Sequence, residues 1–485
     1  MTNGGALTQV NESIALWWIR RDLRMSDNQA LSTALDRADT VIPVFVLDPA
    51  LLNSSRSGEK RLAFMYMGLQ RLDAALRIRG SQLIVRRGDP AEALEQLVRE
   101  TGARWIVAEE DISPYARTRD QQVSQTLPLQ HVGGLLVHPP GAVRRADGGQ
   151  YTVFTPFSRA WRFLPMPVSA ALWHPPDRLP PVPSNVLSES IPRTPALTES
   201  AAFVPGEEEA NRRLVAFFTG CEGPWTQYAA AHNRMDQAGT SGLSPYLRFG
   251  MVSARRAAVQ AVDAAQRAPN AQARKAADTW LTELIWREFY AAILFHFPHV
   301  RLRSFRPAYD AIPWRNCPSE FDAWCAGQTG YPVVDAAMRQ LASTGWMHNR
   351  ARMIVASFLV KDLLIDWRWG ERWFMSQLID GDPASNNGGW QWTAGTGTDA
   401  APYFRIFNPV LQGQRHDPAG EYVRQWVPEL ASVPNEFVHQ PWRMPTATQS
   451  RAGCLIGRDY PKPMVNHETA RDRVLAAYSE PRAAL

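Results

Sequence analysis

Four short apolar runs recur before residue 140: Ile14 to Ile19, Val41 to Val46, Gln82 to Val85 and Trp105 to Ala108. Runs this short, this apolar and this rich in Val and Ile read as strands buried on both faces. Helical periodicity fills the gaps. Between Lys60 and Leu76, residues Leu62, Met65, Leu69, Leu72 and Leu76 share one face. Asp89-Pro-Ala-Glu reads as an N-cap with proline in the first helical position. Alternation of this kind predicts an α/β domain with a parallel, Rossmann-like sheet. No GxGxxG follows the first strand. Arg20-Arg-Asp-Leu-Arg24 stands there instead, which argues against a dinucleotide site of the usual kind.

From about Pro165 to Pro205 the chain turns Pro- and Ser-rich, as an interdomain connection does. Beyond it helix signals dominate: Glu207 to Phe218, Ser253 to Ala265, Ala273 to Phe295, Val333 to Ala342 and Asn349 to Leu364. The reading is an α/β domain over 12–140, a connection over 141–205 and an all-α domain over 206–480. A length of 485 residues suits two domains. No apolar run approaches the ~20 residues of a membrane span. The start, Met1-Thr-Asn-Gly-Gly, lacks a signal pattern, so the expected location is the cytoplasm. Cys221, Cys317, Cys325 and Cys454 show no CxxC pairing and read as reduced thiols. Neither they nor the 10 histidines show a metal-ligand spacing, so no metal is expected. A net charge of +5 permits a nucleic-acid partner without requiring one.

Most of the 18 tryptophans lie beyond residue 279, and the most informative segment runs from Leu378 to Pro409. Two carboxylates, two amides, several glycines and two tryptophans fall near its start. Glycine and asparagine leave helical geometry readily and Pro383 interrupts it, so irregular backbone is expected there. Trp390, Trp392, Tyr403, Phe404 and Phe407 are too apolar to leave in water, which points to a flat aromatic partner. Three other segments carry chemistry. Glu283, Arg287 and Tyr290 share a helical face flanked by Trp280 and Trp286, either as a solvated salt bridge or as a site with a polar mouth. Gly345 to Met353 opens a helix with Asn349, Arg350, Arg352 and Met353 close together, a pattern that a capped basic helix also shows. Gly239 to Gly250 suits phosphate oxygens or an ordinary hydroxyl-capped turn.

Taken in order, these segments resemble the photolyase/cryptochrome family along the whole chain, most closely the bacterial class I cyclobutane pyrimidine dimer photolyases. The resemblance rests on Thr240 to Ser244, Glu283 to Tyr290, Thr329 to Arg339, Gly345 to Arg350 and Asp380 to Pro409. It implies FAD in the helical domain, active when reduced, with Tyr228, Thr240, Ser241, Gly242, Leu243 and Ser244 on its phosphate and ribityl portion. Asp380, Gly381 and Asp382 would meet the ring edge, Arg352 would pair with Asp380, and Asn386 would stand by the reducible nitrogen. Trp280, Arg287 and Asn349 complete the cofactor set. Trp390, Trp367 and Trp314 match a chain of tryptophans that feeds electrons inward.

The same resemblance implies binding of pyrimidine dimers in single- or double-stranded DNA, with the lesion flipped out of the stack. That an enzyme acting on a base takes it out of the stack is a general rule for which photolyases are themselves a standard example. Glu283, Trp286, Asn349, Met353 and Trp392 would line the lesion cavity, with Arg287, Tyr290, Arg350 and Gln412 on lesion or backbone. His232 departs from the family, standing where a basic DNA contact is usual. Catalysis would rest on Glu283, Asn386 and the three tryptophans. In the N-terminal domain, Asp111 to Asp120 resembles members with a deazaflavin antenna, and Tyr115 and Ala116 replace the Asn-Glu pair of methenyltetrahydrofolate binders. A monomeric light-driven repair enzyme is expected. The rivals are a cryptochrome-type receptor, a (6-4) photolyase and an aromatic-rich single-strand-binding protein. Against them stand the chain end soon after the last helix, Asn386 itself, and His348-Asn349 where a His-His pair marks (6-4) enzymes.

Overall fold

The apolar runs assemble into one parallel sheet. In the computed structural model β1 (Ile14–Ile19), β2 (Thr40–Leu47), β3 (Ile84–Arg87) and β4 (Trp105–Glu109) are joined by β5 (Leu129–Val132), in the order β3-β2-β1-β4-β5. The structure describes residues 13–197, 201–220, 222–402 and 404–483. Cys221, Tyr403 and the N-terminal residues read for a signal lie outside them. Helices α1 (Gln29–Arg37), α2 (Glu59–Ile78), α3 (Pro90–Thr101) and α4 (Pro114–Thr126) connect successive strands. Asp89 caps α3 as read from sequence, accepting from the amides of Ala91 and Glu92. Alternate strand residues feed two cores, Trp17 and Val41 on one face, Leu16 and Val44 on the other. The fifth strand escaped the sequence reading. It is a half-buried edge strand, Leu-Gln-His-Val, and an edge needs no continuous apolar run.

One of these cores continues without a break into the helical part, taking in Leu214, Trp225, Ala257, Leu281 and Phe289. There the main helices are α5 (Phe154–Phe163), α6 (Glu207–Phe218), α7 (Ala254–Gln266), α8 (Ala271–His296), α9 (Pro332–Thr344), α10 (Asn349–Ser357), α11 (Trp367–Gln377) and α12 (Pro383–Ala394). The helix read from Asn349 to Leu364 changes to π-type over Phe358–Asp362 and ends before Leu364, whose φ is +53°. The Pro- and Ser-rich connection is strapped down. Leu179 and Val186 are buried, and the Glu189 amide donates to Val85 O at 2.9 Å.

The start of the segment expected to be irregular forms helix α12, a correction with a clear cause. Asp382 supplies the N-cap, Pro383 takes the first helical position where its missing N–H costs nothing, and Gly395 closes the helix at φ +83°. The residues read as breakers are the start and stop signals. Phe404, expected to be sheltered, is 64% exposed.

The order of strands reverses between β1 and β4, and in open sheets the crevice at such a switch point is where ligands and partners meet the strand ends. Here the loop after β1 meets the helical part. Leu23 N donates to Phe249 O (3.0 Å) and Arg24 Nη1 to Gly250 O (3.1 Å). Gly250 has φ +58°, and a Cβ there would fall 1.9 Å from Arg21 O. Gly250→Ala is therefore expected to cost roughly 2–4 kcal/mol, from left-handed strain plus displaced backbone. Gly102→Ala, with φ +68° and open space around it, should cost only about 1–2 kcal/mol. Denaturant unfolding of both variants checks this ranking.

Candidate active site

Two neighbouring carboxylates do different work. Asp382 Oδ1 accepts from Ala384 N and Ser385 N at 3.0 Å, and its Oδ2 accepts from Arg21 Nη2 at 2.7 Å. Burial alone would raise its pKa, but Arg21, Arg248 and Arg287 hold it well below the usual carboxylate range. Asp380 Oδ2 accepts from Arg352 Nη2 at 2.8 Å, while its Oδ1 is buried with no partner. Arg352 is aimed by a second bond, Nε to Met347 O at 2.8 Å. Gly381 O accepts from Arg248 Nε at 2.7 Å, and a Cβ on Gly381 would collide with Arg61. One turn into α12, Asn386 Nδ2 donates to Glu371 O (3.1 Å) and Glu371 Oε1 (3.2 Å).

Helix α8 brings the remaining segments to this centre. Trp280 Nε1 donates to Ser241 Oγ at 3.2 Å, docking the Thr240–Ser244 turn on the helix. In that turn Thr240, Ser241 and Gly242 are half-buried, Leu243 is buried, and the exposed Ser244 accepts from Trp346 Nε1 at 3.3 Å. Gly242 takes φ +63°, and a Cβ there would sit 3.2 Å from Arg213 Nη1, so a cation borders the turn. The helix beyond it is only five residues long, Ser244–Arg248.

Glu283 is exposed in outline yet crowded by protein, as a group in a concavity is. The crowding raises its pKa, with Arg350 acting in the opposite direction. Tyr228, buried nearby, is pushed up by burial and by Glu283. Asn349 is the exposed first residue of α10. Met353, Trp392 and Gln412 are half-buried, with Gln412 Oε1 unpartnered. Trp286 stacks face to face on Phe154 at 3.5 Å and leans on Tyr290 at 5.5 Å. Tyr290 lies on Gly388, whose absent Cβ would be 2.1 Å from the ring.

Arg287 Nη1 donates to Leu135 O (2.8 Å) and its Nη2 to Leu247 O (3.4 Å). That joins α8 to the end of the sheet domain, with Asp382 in electrostatic reach, and among the described residues no ion pair joins Arg287 to Glu283.

The three tryptophans step outward in burial: Trp390 and Trp367 are buried and Trp314 is partly exposed. Trp390 lies against Gly370 of α11, one turn beyond Trp367; a Cβ there would be 2.1 Å from its ring. The Trp314 segment is pinned beside the start of α11 by Arg315 N to Leu364 O (2.8 Å) and Asp366 N to Asn316 Oδ1 (2.9 Å). A surface groove of about 1100 Å³, lined among others by Tyr331, Trp442, Arg443 and Lys462, shares none of these residues.

Residues 15–178 match the family model for DNA photolyase, and residues 280–480 match that for the FAD binding domain of DNA photolyase. The deoxyribodipyrimidine photo-lyase of Synechococcus sp. is 39% identical over 488 residues, with 97% of each chain covered. A class III photolyase from Agrobacterium tumefaciens superposes with a TM-score of 0.92 at 36% identity, covering 99% of this chain and 100% of that one. A Synechocystis cryptochrome superposes with a TM-score of 0.87 at 30% identity, covering 96% and 99%. The chain belongs to the DNA photolyase family.

An FAD fits the donor set of this photolyase. An unpartnered buried carboxylate oxygen on Asp380 needs a donor such as a flavin N–H, and hydroxyls beside Arg213 suit phosphate. Sequence reading missed the supports: Arg21, Arg61 and Arg248 under the Asp380 segment, Glu371 behind Asn386, and Lys361. The last lies under the end of α12. Its Nζ donates to Ala394 O (2.9 Å), 3.8 Å from the centre of the Tyr478 ring. Burial lowers its pKa to about 7 from the ordinary 10.5.

Between those two values the folded chain binds fewer protons than the unfolded one. Stability therefore rises with pH across that window, by up to about 1.4 kcal/mol per pH unit, and the full cost falls below it. Lys361→Met should flatten the rise measured between about pH 7 and pH 9 and should be the more stable protein near pH 6. Tyr478 OH still serves Ala394 O, at 2.6 Å.

Proposed function

We propose that this chain is a deoxyribodipyrimidine photo-lyase that splits cyclobutane pyrimidine dimers in DNA under blue light. The observation that carries the reading is Asp380 Oδ1, a buried acceptor without a partner, fixed by Arg352 beside residues that could receive a base. When bound, reduced FAD supplies the light-driven electron that opens the cyclobutane ring and takes it back afterwards. Asp380 and Asn386 orient the ring edge, and Thr240 to Ser244 with Tyr228 and Trp280 hold the phosphate and ribityl end. Trp390, Trp367 and Trp314 carry electrons inward from the surface.

Trp286, Trp392 and Met353 offer faces for a flipped, poorly stacked dimer. Glu283, Asn349, Arg350 and Gln412 bond its edges and the backbone. The sheet domain takes an antenna, which we assign as a deazaflavin in the crevice beside Tyr115, whose hydroxyl donates to Asp48 where a folate-type pair would stand. The absorption spectrum of the purified protein decides the cofactors. A flavin near one per chain supports the reading, and folded protein that takes up no FAD overturns it. Blue light should restore thymines from cyclobutane dimers and leave (6-4) lesions untouched. Repair of (6-4) lesions alone, or no repair with an intact flavin, would move the chain to its photolyase or cryptochrome rival.

Glu283 is assigned to hydrogen-bond donation onto the dimer as negative charge develops there. Crowding raises its pKa, so the carboxyl keeps its proton to higher pH and can donate. Glu283→Ala should keep flavin and fold yet lower the repair yield per photon at saturating DNA. Glu283→Gln retains a donor and should recover much of that yield. In the parent the yield should fall as pH rises through the raised pKa, and the glutamine variant should lose that fall. A parental yield in the alanine variant removes Glu283 from the reaction.

A further inference from the structure

We propose that Asn233 and His232 form a polar relay that positions Arg350 toward the bound dimer and so sets the preference for damaged over intact DNA. The inference rests on the reading of Arg350 as a lesion contact. Asn233 Oδ1 accepts from Arg350 Nε at 3.1 Å and Nη2 at 2.6 Å. A guanidinium has donors only, so the atom facing it must be the amide oxygen, and the amide nitrogen must face the other way. That nitrogen stands 2.9 Å from His232 Nε2. An amide nitrogen only donates, so Nε2 is the unprotonated acceptor. The ring proton then sits on Nδ1, which reaches Tyr228 O at 2.8 Å. Every bond direction follows from the one before it.

The relay ends on backbone. Tyr228 O belongs to the short helix Tyr228–Ala231, which packs on α8, and the Tyr228 ring stacks on His232 at 5.1 Å. A long and half-exposed side chain is thereby tied at its tip to a rigid element. This removes rotamer freedom that binding would otherwise have to remove. The neutral Nδ1–H tautomer is the one charge state that closes the relay. A proton on Nε2 sets donor against donor, and the amide can recover only by turning over, which presents its NH₂ to Arg350 and releases the guanidinium. The surroundings are mostly cationic. Arg350, Arg352 and His348 stand at the start of α10, Arg415 and His416 at the end of Pro409–His416, and Arg234 follows in sequence. Glu283 faces the group from α8.

The test uses the flavin-loaded full chain in the dark, with one oligonucleotide carrying a single thymine dimer and its undamaged twin. The readout is the ratio of the two dissociation constants. Asn233→Leu should lower that ratio about tenfold, the scale of a lost charge-assisted pair, with flavin content as the check on folding. Asn233→Asp keeps the acceptors for Arg350 and should hold the ratio near the parental value, whereas His232→Phe removes the acceptor that orients the amide and should lower it. A ratio kept in Asn233→Asp and lowered in His232→Phe supports the relay. A parental ratio in His232→Phe overturns it, including where Asn233→Leu fails to retain flavin. A parental ratio in Asn233→Leu beside a lost ratio in Arg350→Met overturns the relay alone. A parental ratio in both variants overturns the placement of Arg350 as well.

Discussion

The ion pair between Arg21 and Asp382 is the contact on which the rest of the site depends. It joins residues 361 positions apart. One partner stands in the loop after β1 and the other is the N-cap of α12. The same carboxylate that holds the sheet domain starts the helix carrying Asn386, Trp390 and Trp392. With Arg248 and Arg287 near it, the carboxylate is strongly favoured in its charged form. A buried pair of this kind is weak evidence for net stability, because desolvation offsets much of the attraction. Its value here is geometric: loss of Arg21 would leave a buried carboxylate, and loss of Asp382 would leave a buried guanidinium and a helix without its cap.

Much of this was legible in the sequence, and the failures share a cause. Local signals worked where both partners are near in sequence: Asp89 capping α3, the face of α2, and the apolar runs of β1 to β4. They misled at Pro383, because Asp-Pro reads equally as a break or as a beginning. What decides is whether tertiary contacts repay the glycines that follow. Gly388 is needed so that Tyr290 can lie on the helix, and Gly370 so that Trp390 can lie on α11; neither requirement shows in one segment alone. Arg287 illustrates the converse. Its spacing from Glu283 promised an i,i+4 pair, yet two carbonyls of distant segments hold it instead. Spacing says which groups can meet, and packing says which do.

Satisfaction of polar groups separates scaffold from site more sharply than residue type does. Asp382 has both oxygens occupied. Asp380, two positions away and of the same type, keeps one buried oxygen unoccupied. Asn386 has its amide nitrogen fixed on Glu371, which leaves the orientation of its carbonyl settled before any cofactor arrives. Fixed dipoles of this kind need no reorganisation when charge develops, which is where electrostatic preorganisation draws its advantage over water.

Glu283 stands apart from that pattern, and the difference fits its assigned role. No hydrogen bond or ion pair among the described residues fixes its carboxyl, although Arg350 stands within electrostatic reach. Were Glu283 and Arg350 directly paired, the carboxylate would be ionised and could only accept. Asn233 instead takes Nε and Nη2 of Arg350. Crowding raises the pKa of the Glu283 carboxyl, with Arg350 acting in the opposite direction. A neutral carboxyl in a concavity can donate to a base that is gaining charge, which a salt-bridged carboxylate cannot do.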